Sequence, residues 1–316
     1  MAKVINNISE HLLKQLSQLG YRLVKPQDQR VFDPYYDAMN GHWSSPASFL
    51  CILAWNAATP TFYKPIGALL CCVQYESTLG EWIALPFIGR YSKESFENAF
   101  RVFRGDMETL GLPLTVMFLS EWMAPFYQSA RGISWKTENR RNAMEYIYRR
   151  ADFVKSMDSA DSRYRYRYFL RRFSPETVVL KPEHREACMD CMKAVWCPST
   201  ECSDCYACPL EAVGDVVNAL DDLRAGGLLV RVDGKPIGLC IVSCRNGLGL
   251  YMFKHTDNHL KGINEYLLRE CFTRFLSGAE EINYTADIGD EGLRAYKSKL
   301  APYTLSPSMT LRGTAK

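Results

Sequence analysis

Six of the chain's twelve cysteines fall between residues 188 and 208, in CMDCMKAVWCPSTECSDCYAC. A C-x2-C pair lets two thiolates reach one tetrahedral ion, and four thiolates make a closed structural zinc site. Cys188, Cys191, Cys197, Cys202, Cys205 and Cys208 are therefore candidate metal ligands. Cys202, Cys205 and Cys208, followed by Pro209, also have the spacing of three ligands of a [4Fe–4S] cluster, with Cys197 or Cys191 as the fourth. The competing reading is packing. HREACMDCMKAVW reads as a helix, and Cys188 and Cys191 share its apolar face with Met192 and Trp196. Thiolate catalysis is the weakest option, because the sequence nominates no base for it.

A second group of residues suits an anionic ligand. Lys261, Gly262, Ile263 and Asn264 open a helix, where unpaired amide hydrogens and the macrodipole favour negative charge. The run RYRYRYFLRRF, read as a helix, puts Tyr166, Phe169, Leu170 and Phe173 on one face and Arg163, Arg167 and Arg171 on another. Arginines interleaved with tyrosines suit phosphate and base stacking; an ordinary solvated helix face gives the same pattern. Asp287 ends a strand and precedes a helix. It is either a general base or amine holder, or a cap that pairs with Arg294. His255, at the end of an apolar strand, has the ordinary pKa range for proton transfer.

The elements that must carry these residues follow from periodicity. PIGALLCCVQY and EWIALPFIG read as a hairpin joined by ESTLG. SKESFENAFRVFRGDMETLG follows as a helix with Ser92 as its N-cap, and LPLTVMFLS as a buried strand. Further on, EAVGDVVNALDDLRAGG reads as a helix closed by Gly226 or Gly227. GLLVRVDGKPIGLCIVSC is a hairpin turning at Asp233-Gly234, which supplies two positive φ angles. LGLYMFKHT is the next strand, LKGINEYLLRECFTRFL a helix, EEINYTAD a strand and DEGLRAYKSKL a last helix. This order, met in both halves, is that of an acyl-CoA N-acyltransferase domain. The expected fold is α/β (α+β): two tandem GNAT-like domains, each a mixed, mainly antiparallel sheet flanked by helices. The polar stretch KSMDSADSR places the boundary within residues 155–163, giving domains 1–157 and 158–316.

ADIGDEGLRAYKSKLAP resembles the closing motif of a bacterial family related to the C-terminal domain of phosphatidylglycerol lysyltransferase. The matching positions are Asp287, Ile288, Gly289, Gly292, Leu293, Arg294 and Lys297. DPYYDAM, SPASFLCILAWN and RVDGKPIG extend the likeness along nearly the whole chain. The resemblance implies two tandem acyltransferase-like domains and transfer of an aminoacyl group from a charged transfer RNA. Two departures stand out. The family's Lys-Arg-Asn run becomes Arg165 and Arg167 with Tyr168 in place of asparagine, and its Glu-Lys becomes Lys254-His255.

Bulk properties set the remaining expectations. A net charge of +3 is too small to argue for DNA or a membrane surface. No run reaches the roughly 18–20 apolar residues a bilayer crossing needs, and the first residues lack a signal-peptide core. The expected location is the cytoplasm, where thiols stay reduced. The expected activity moves an acyl or aminoacyl group from a coenzyme A thioester or an aminoacyl-tRNA to an amine or hydroxyl. The rival is a non-catalytic protein that binds a ligand, or senses metal or redox state through its thiols.

Overall fold

The computed structural model describes residues 8–39, 41, 44–77, 79–196 and 208–315. The chain divides into two compact units, Met1–Ala143 with Ser306–Lys316, and Met144–Leu305. The division thus falls some residues before the stretch 155–163. That stretch spans the turn between two helices of the second unit, so its polarity marks a helix connection.

In the first unit, helix α1 (Glu10–Gln18) starts where the Ser9 hydroxyl accepts the Leu12 amide at 3.2 Å. Strand β1 (Arg22–Leu23) and helices α2 (Gln29–Asp37) and α3 (Phe49–Trp55) follow. The run FLCILAW forms α3 and buries six of its seven residues. Strands β2 (Thr61–Ile66), β3 (Leu69–Glu76), β4 (Glu81–Ala84) and β5 (Ile88–Gly89) precede helix α4 (Lys93–Leu110). Ser92 caps α4 as its sequence suggests, accepting the Ser95 amide at 3.0 Å. After it come β6 (Leu114–Leu119), α5 (Ala124–Gln128) and β7 (Ile133–Asn139). The sheet order is β1-β2-β3-β4-β6-β15-β7, where β15 (Met309–Ala315) is the chain's last strand and lies between β6 and β7.

The second unit opens with β8 (Glu145–Arg149), α6 (Arg150–Met157), α7 (Ala160–Phe173), β9 (Glu176–Val179), α8 (Arg185–Val195) and α9 (Pro209–Asn218). It continues with β10 (Ala225–Val232), β11 (Lys235–Arg245), β12 (Leu248–Thr256), α10 (Ile263–Cys271), β13 (Glu281–Ala286), α11 (Glu291–Lys299) and β14 (Thr304–Ser306). Its sheet runs β14-β8-β13-β12-β11-β10-β9. The β10–β11 turn has φ of 49° at Asp233 and 74° at Gly234, as the dipeptide demands. Gly226 and Gly227 do not close α9, which ends at Asn218; they lie inside β10. A Cβ at Gly226 would come within 2.6 Å of the Phe275 ring, and one at Gly227 within 2.6 Å of the Cys240 carbonyl oxygen. Close packing, and not helix capping, requires those glycines.

Each sheet buries its apolar side chains under helices. Fully buried residues such as Phe103 and Leu69 in the first unit, and Phe153 and Leu267 in the second, anchor the two cores. Each such side chain contributes about 1.5–3 kcal/mol from its removal from water.

Candidate functional site

The feature that creates a site is a break in one strand pair of the second unit. β12 and β13 run parallel and pair only at Leu248–Glu281, Gly249–Ile282 and Leu250–Asn283. Both strands change register where this pairing stops. Against β11, Tyr251 and Phe253 face successive residues, so Met252 is an extra residue on β12. Against β8, Asn283 and Ala286 face Ile147 and Glu145, so β13 also carries one residue too many. A bulge bends and twists its strand. Two of them on facing strands let the strand ends diverge.

The bulge in β13 is held by side chains. Thr285 has a φ of 56°, an uncommon angle for a β-branched residue. The Asn283 side chain accepts the Thr285 amide at 2.8 Å in place of a ladder partner. Lys297 of α11 reaches in and donates to the Ala286 carbonyl at 2.8 Å, the Thr285 carbonyl at 3.3 Å and the Thr285 hydroxyl at 3.2 Å. Its side chain is buried, and that burial pulls its pKa down to about 7, although nearby Asp287 pulls the other way.

Asp287 follows the same strand and is completely buried. Its carboxylate accepts from Arg294 Nε at 3.0 Å and Nη2 at 3.2 Å, from the Tyr146 hydroxyl at 2.8 Å and from the Gly289 amide at 3.0 Å. Hydrogen bonding by Arg294 is the largest reason its pKa lies well below the usual carboxylate range. A carboxylate so placed holds two elements together and is poorly suited to take a proton. It does not cap α11 either; Asp290 does, accepting the Leu293 amide at 2.6 Å.

On the other wall, Lys254 of β12 donates to Asn264 Oδ1 at 2.5 Å and to the Tyr296 hydroxyl at 3.1 Å, with its ammonium 4.3 Å from the Tyr296 ring centre. Thr256 and Asn258 complete the network around Asn264. Asn258, Asn264 and Tyr296 of this network line a cleft of about 230 Å³ between α7, α10 and α11, together with Lys261, Gly262 and Lys299. Lys254 and Thr256 reach that lining through their hydrogen bonds to Asn264. Arg165 also lines it, 3.1 Å from Asp161 and 3.8 Å from Glu265, and Lys299 lies 3.3 Å from Asp161. Lys261 instead sits over two rings, 5.0 Å from the centre of Tyr164 and 5.3 Å from that of Tyr168.

The first unit treats the corresponding gap differently. β4 meets β6 in parallel at Ala84–Val116, and beyond it the Phe87 amide donates to the Tyr127 hydroxyl at 2.8 Å. The rings of Phe87, Phe96, Phe100, Phe103 and Tyr127 pack against one another there, all buried. Aromatic side chains occupy that space.

Residues 41–311 match the family model described as phosphatidylglycerol lysyltransferase, C-terminal. The chain belongs to that family. A conserved protein of unknown function from Bacteroides thetaiotaomicron shares the fold at a TM-score of 0.81 and 16% identity, over 93% of this chain and 99% of that one. L-PGS from Bacillus licheniformis follows at 0.63 and 14%, over 90% and 92%. A tandem GNAT protein from the clavulanic acid biosynthesis pathway aligns at 0.53 and 10%, over 94% and 98%. No curated protein matches. The fold is therefore a pair of GNAT-like acyltransferase domains, and membership in this lysyltransferase family makes the chain a transferase of the acyl or aminoacyl kind. No helix among the described residues is long and apolar enough to cross a membrane.

Within this lysyltransferase-family fold, the residues nominated from sequence separate into groups. Lys261, Gly262 and Asn264 line the cleft, whereas Ile263 points into the core and is fully buried. Arg167 lies exposed on α7, outside the cleft lining, where its carbonyl accepts Arg171 Nε at 3.4 Å. Of the expected apolar face of α7, Phe169 is buried, but Leu170 is exposed. Asp287 and Arg294 meet as a pair. His255 turns to the opposite face of β12 from Lys254, where its ring lies 4.9 Å from that of Trp196. Burial, then the charge of Lys254, lowers its pKa to about 4, so the imidazole is neutral near pH 7.

Of the cysteines, Cys197, Cys202 and Cys205 lie outside the described residues. Cys188 and Cys191 are buried on α8, and burial pushes both thiols up to about 12, the state of packing side chains. Cys208 stands at the N-cap of α9. Among the described residues no group of three or more side chains is arranged to hold a metal. Sequence reading missed Tyr146 and Tyr296. The strand EYIYR, with its alternating tyrosines, was the available signal for the first; nothing local marks the second.

Proposed function

We propose that the chain moves an acyl group, as an aminoacyl ester of transfer RNA or as a coenzyme A thioester, to an amine or hydroxyl acceptor, using the cleft of the second unit. The observation that carries this reading is the divergence of β12 and β13 beside the start of α10. Past Leu250 and Asn283, backbone groups on the facing edges have no partner in the other strand. Donors of that kind can meet the oxygen of a reacting carbonyl. The start of α10, with Lys261 and Asn264, offers positive potential to a phosphate-bearing carrier. The acceptor nucleophile attacks the carbonyl carbon, the tetrahedral species collapses, and the thiol or ribose hydroxyl leaves with a proton.

In this reading Lys254 and Tyr296 face the reacting group, while Asp287, Arg294 and Lys297 keep the strand ends apart. His255, neutral and on the other face, supports the strand. The family supports this choice of chemistry, and the filled gap of the first unit favours one donor site per chain.

The test is transfer by the full chain from labelled acyl-coenzyme A and labelled aminoacyl-tRNA to panels of amines and hydroxylated lipids, with products identified by mass spectrometry. One donor class should be consumed, and Lys254→Met should lower kcat at least 10-fold without unfolding the protein. Failure to bind or consume either donor class would overturn the proposal.

A further inference from the structure

The rim of this cleft carries a feature that donor transfer alone does not explain. Tyr164 and Tyr168, one turn apart on α7, present neighbouring rings with centres 6.3 Å apart. Tyr164 is 53% exposed. Lys261 lies over both rings, and no carboxylate reaches it among the described residues. The other cations of the cleft differ in this respect, since Arg165 and Lys299 are matched by Asp161 and Glu265. One positive charge of the cleft lining, Lys261, thus stands over the rings of an exposed Tyr164 and a half-buried Tyr168.

The packing that places them together is specific. Gly262 has a φ of 95°, and a Cβ there would come 2.2 Å from the Arg165 carbonyl oxygen. The start of α10 therefore touches the backbone of α7, and glycine is what permits the approach. Side chains one residue before the glycine and one turn along α7 are brought to the same rim. Had the tyrosines served only to pack α7, they would face the core as Phe169 does, or as Tyr166 does in stacking on Tyr266.

From this arrangement we infer that Tyr164 and Tyr168 form a stacking platform for the adenine base of a nucleotide, with Lys261 meeting an adjoining phosphate. A purine stacks on an aromatic face whatever its sequence context, and a nearby cation contributes to the same contact. The inference rests on the donor reading above and adds the base-recognition part of it. An adenosine bearing phosphate ends both coenzyme A and the acceptor arm of transfer RNA, so the chemistry is shared by the two sources.

Two probes separate them: adenosine 3′,5′-bisphosphate, and an RNA hairpin ending in CCA. Each is titrated calorimetrically into the full chain and into Tyr164→Ala, Tyr168→Ala, Tyr164→Phe and Lys261→Met. Tyr164 is exposed and Tyr168 half-buried on α7, and circular dichroism with a melting curve checks that each variant folds. One probe at least should bind wild type; each alanine variant should bind it about 5- to 100-fold more weakly, and Tyr164→Phe should bind like wild type. Lys261→Met should lower the salt dependence by about one charge. If neither probe binds wild type, or if both alanine variants bind as wild type does, the platform is refuted. Acyl transfer that persists in those variants would leave the donor reading standing without it. Wild type that binds a probe yet transfers nothing would remove the donor reading alone.

Discussion

His255 releases its proton more readily than a solvated imidazole because its ring is covered and lies next to Lys254. The folded pKa of about 4 is below the ordinary 6.5, so below pH 6.5 the unfolded chain binds more protons. Stability from this group is complete above pH 6.5 and is lost as the pH falls toward 4. His255→Phe, which keeps a ring against Trp196, should flatten that loss by about 2–3 kcal/mol in urea titrations. An unchanged profile would mean the ring is more solvated than its burial implies. Lys297 gives a second signature. Its pKa of about 7 lies below the ordinary lysine value of 10.5, so its burial is least favourable when charged, below pH 7, and the penalty fades as the pH rises toward 10. Other groups titrate in that window, so the informative quantity is the difference between wild type and Lys297→Met. It should shift in favour of wild type between pH 7 and 9. At this scale the sequence reveals identity more than role. The motif from Asp287 to Lys297 was legible, including the pairing of Asp287 with Arg294 as one of its readings. The full set of four donors around Asp287 was not, because one of them comes from Tyr146, 141 residues away. No spacing rule reports a partner that distant.

Gly262 joins two elements as well as ending a loop. Gly262→Ala would force a left-handed non-glycine residue and a Cβ against the Arg165 carbonyl. It should cost about 2–3 kcal/mol, read as a lower melting temperature, and should weaken donor binding by moving α7 away from α10. Full retention of both would show that the helices can separate cheaply. Elements with local signals were readable: α4 from Ser92, the β10–β11 hairpin from Asp233-Gly234, and α10 and α11 from their apolar spacing. The cause of the divergence of β12 from β13 was not readable. A bulge depends on which residue faces which across strands, and β13 owes its extra residue to pairing with β8. Gly226 and Gly227 failed as helix-cap signals for a related reason. The contacts that demand glycine there come from Phe275, Leu180 and Cys240, all remote in sequence.

The strand Met309–Ala315 is the clearest case of long-range structure hidden from a sequence pass. The segment SPSMTLRGTAK follows the last helix and reads as a tail, although Met309 and Leu311 alternate with polar residues. Those two side chains are buried in the first unit's core, and the strand pairs with β6 on one side and β7 on the other. A chain cut after Leu305 should therefore lose protection from protease throughout residues 114–139, while residues 144–305 resist digestion. Equal resistance in both regions would mean that β6 and β7 close without it. The two-unit organisation was readable from the repeated order of elements, whereas the membership of this one strand was not, because it is settled some 170 residues from its partner β7. A ribosome makes the consequence concrete. The first half emerges early with a slot in the middle of its sheet, and the segment that fills the slot follows only after residues 144–305 have been made. The later half has all its strands before then and can mature first, so the usual order in which nascent domains finish is reversed.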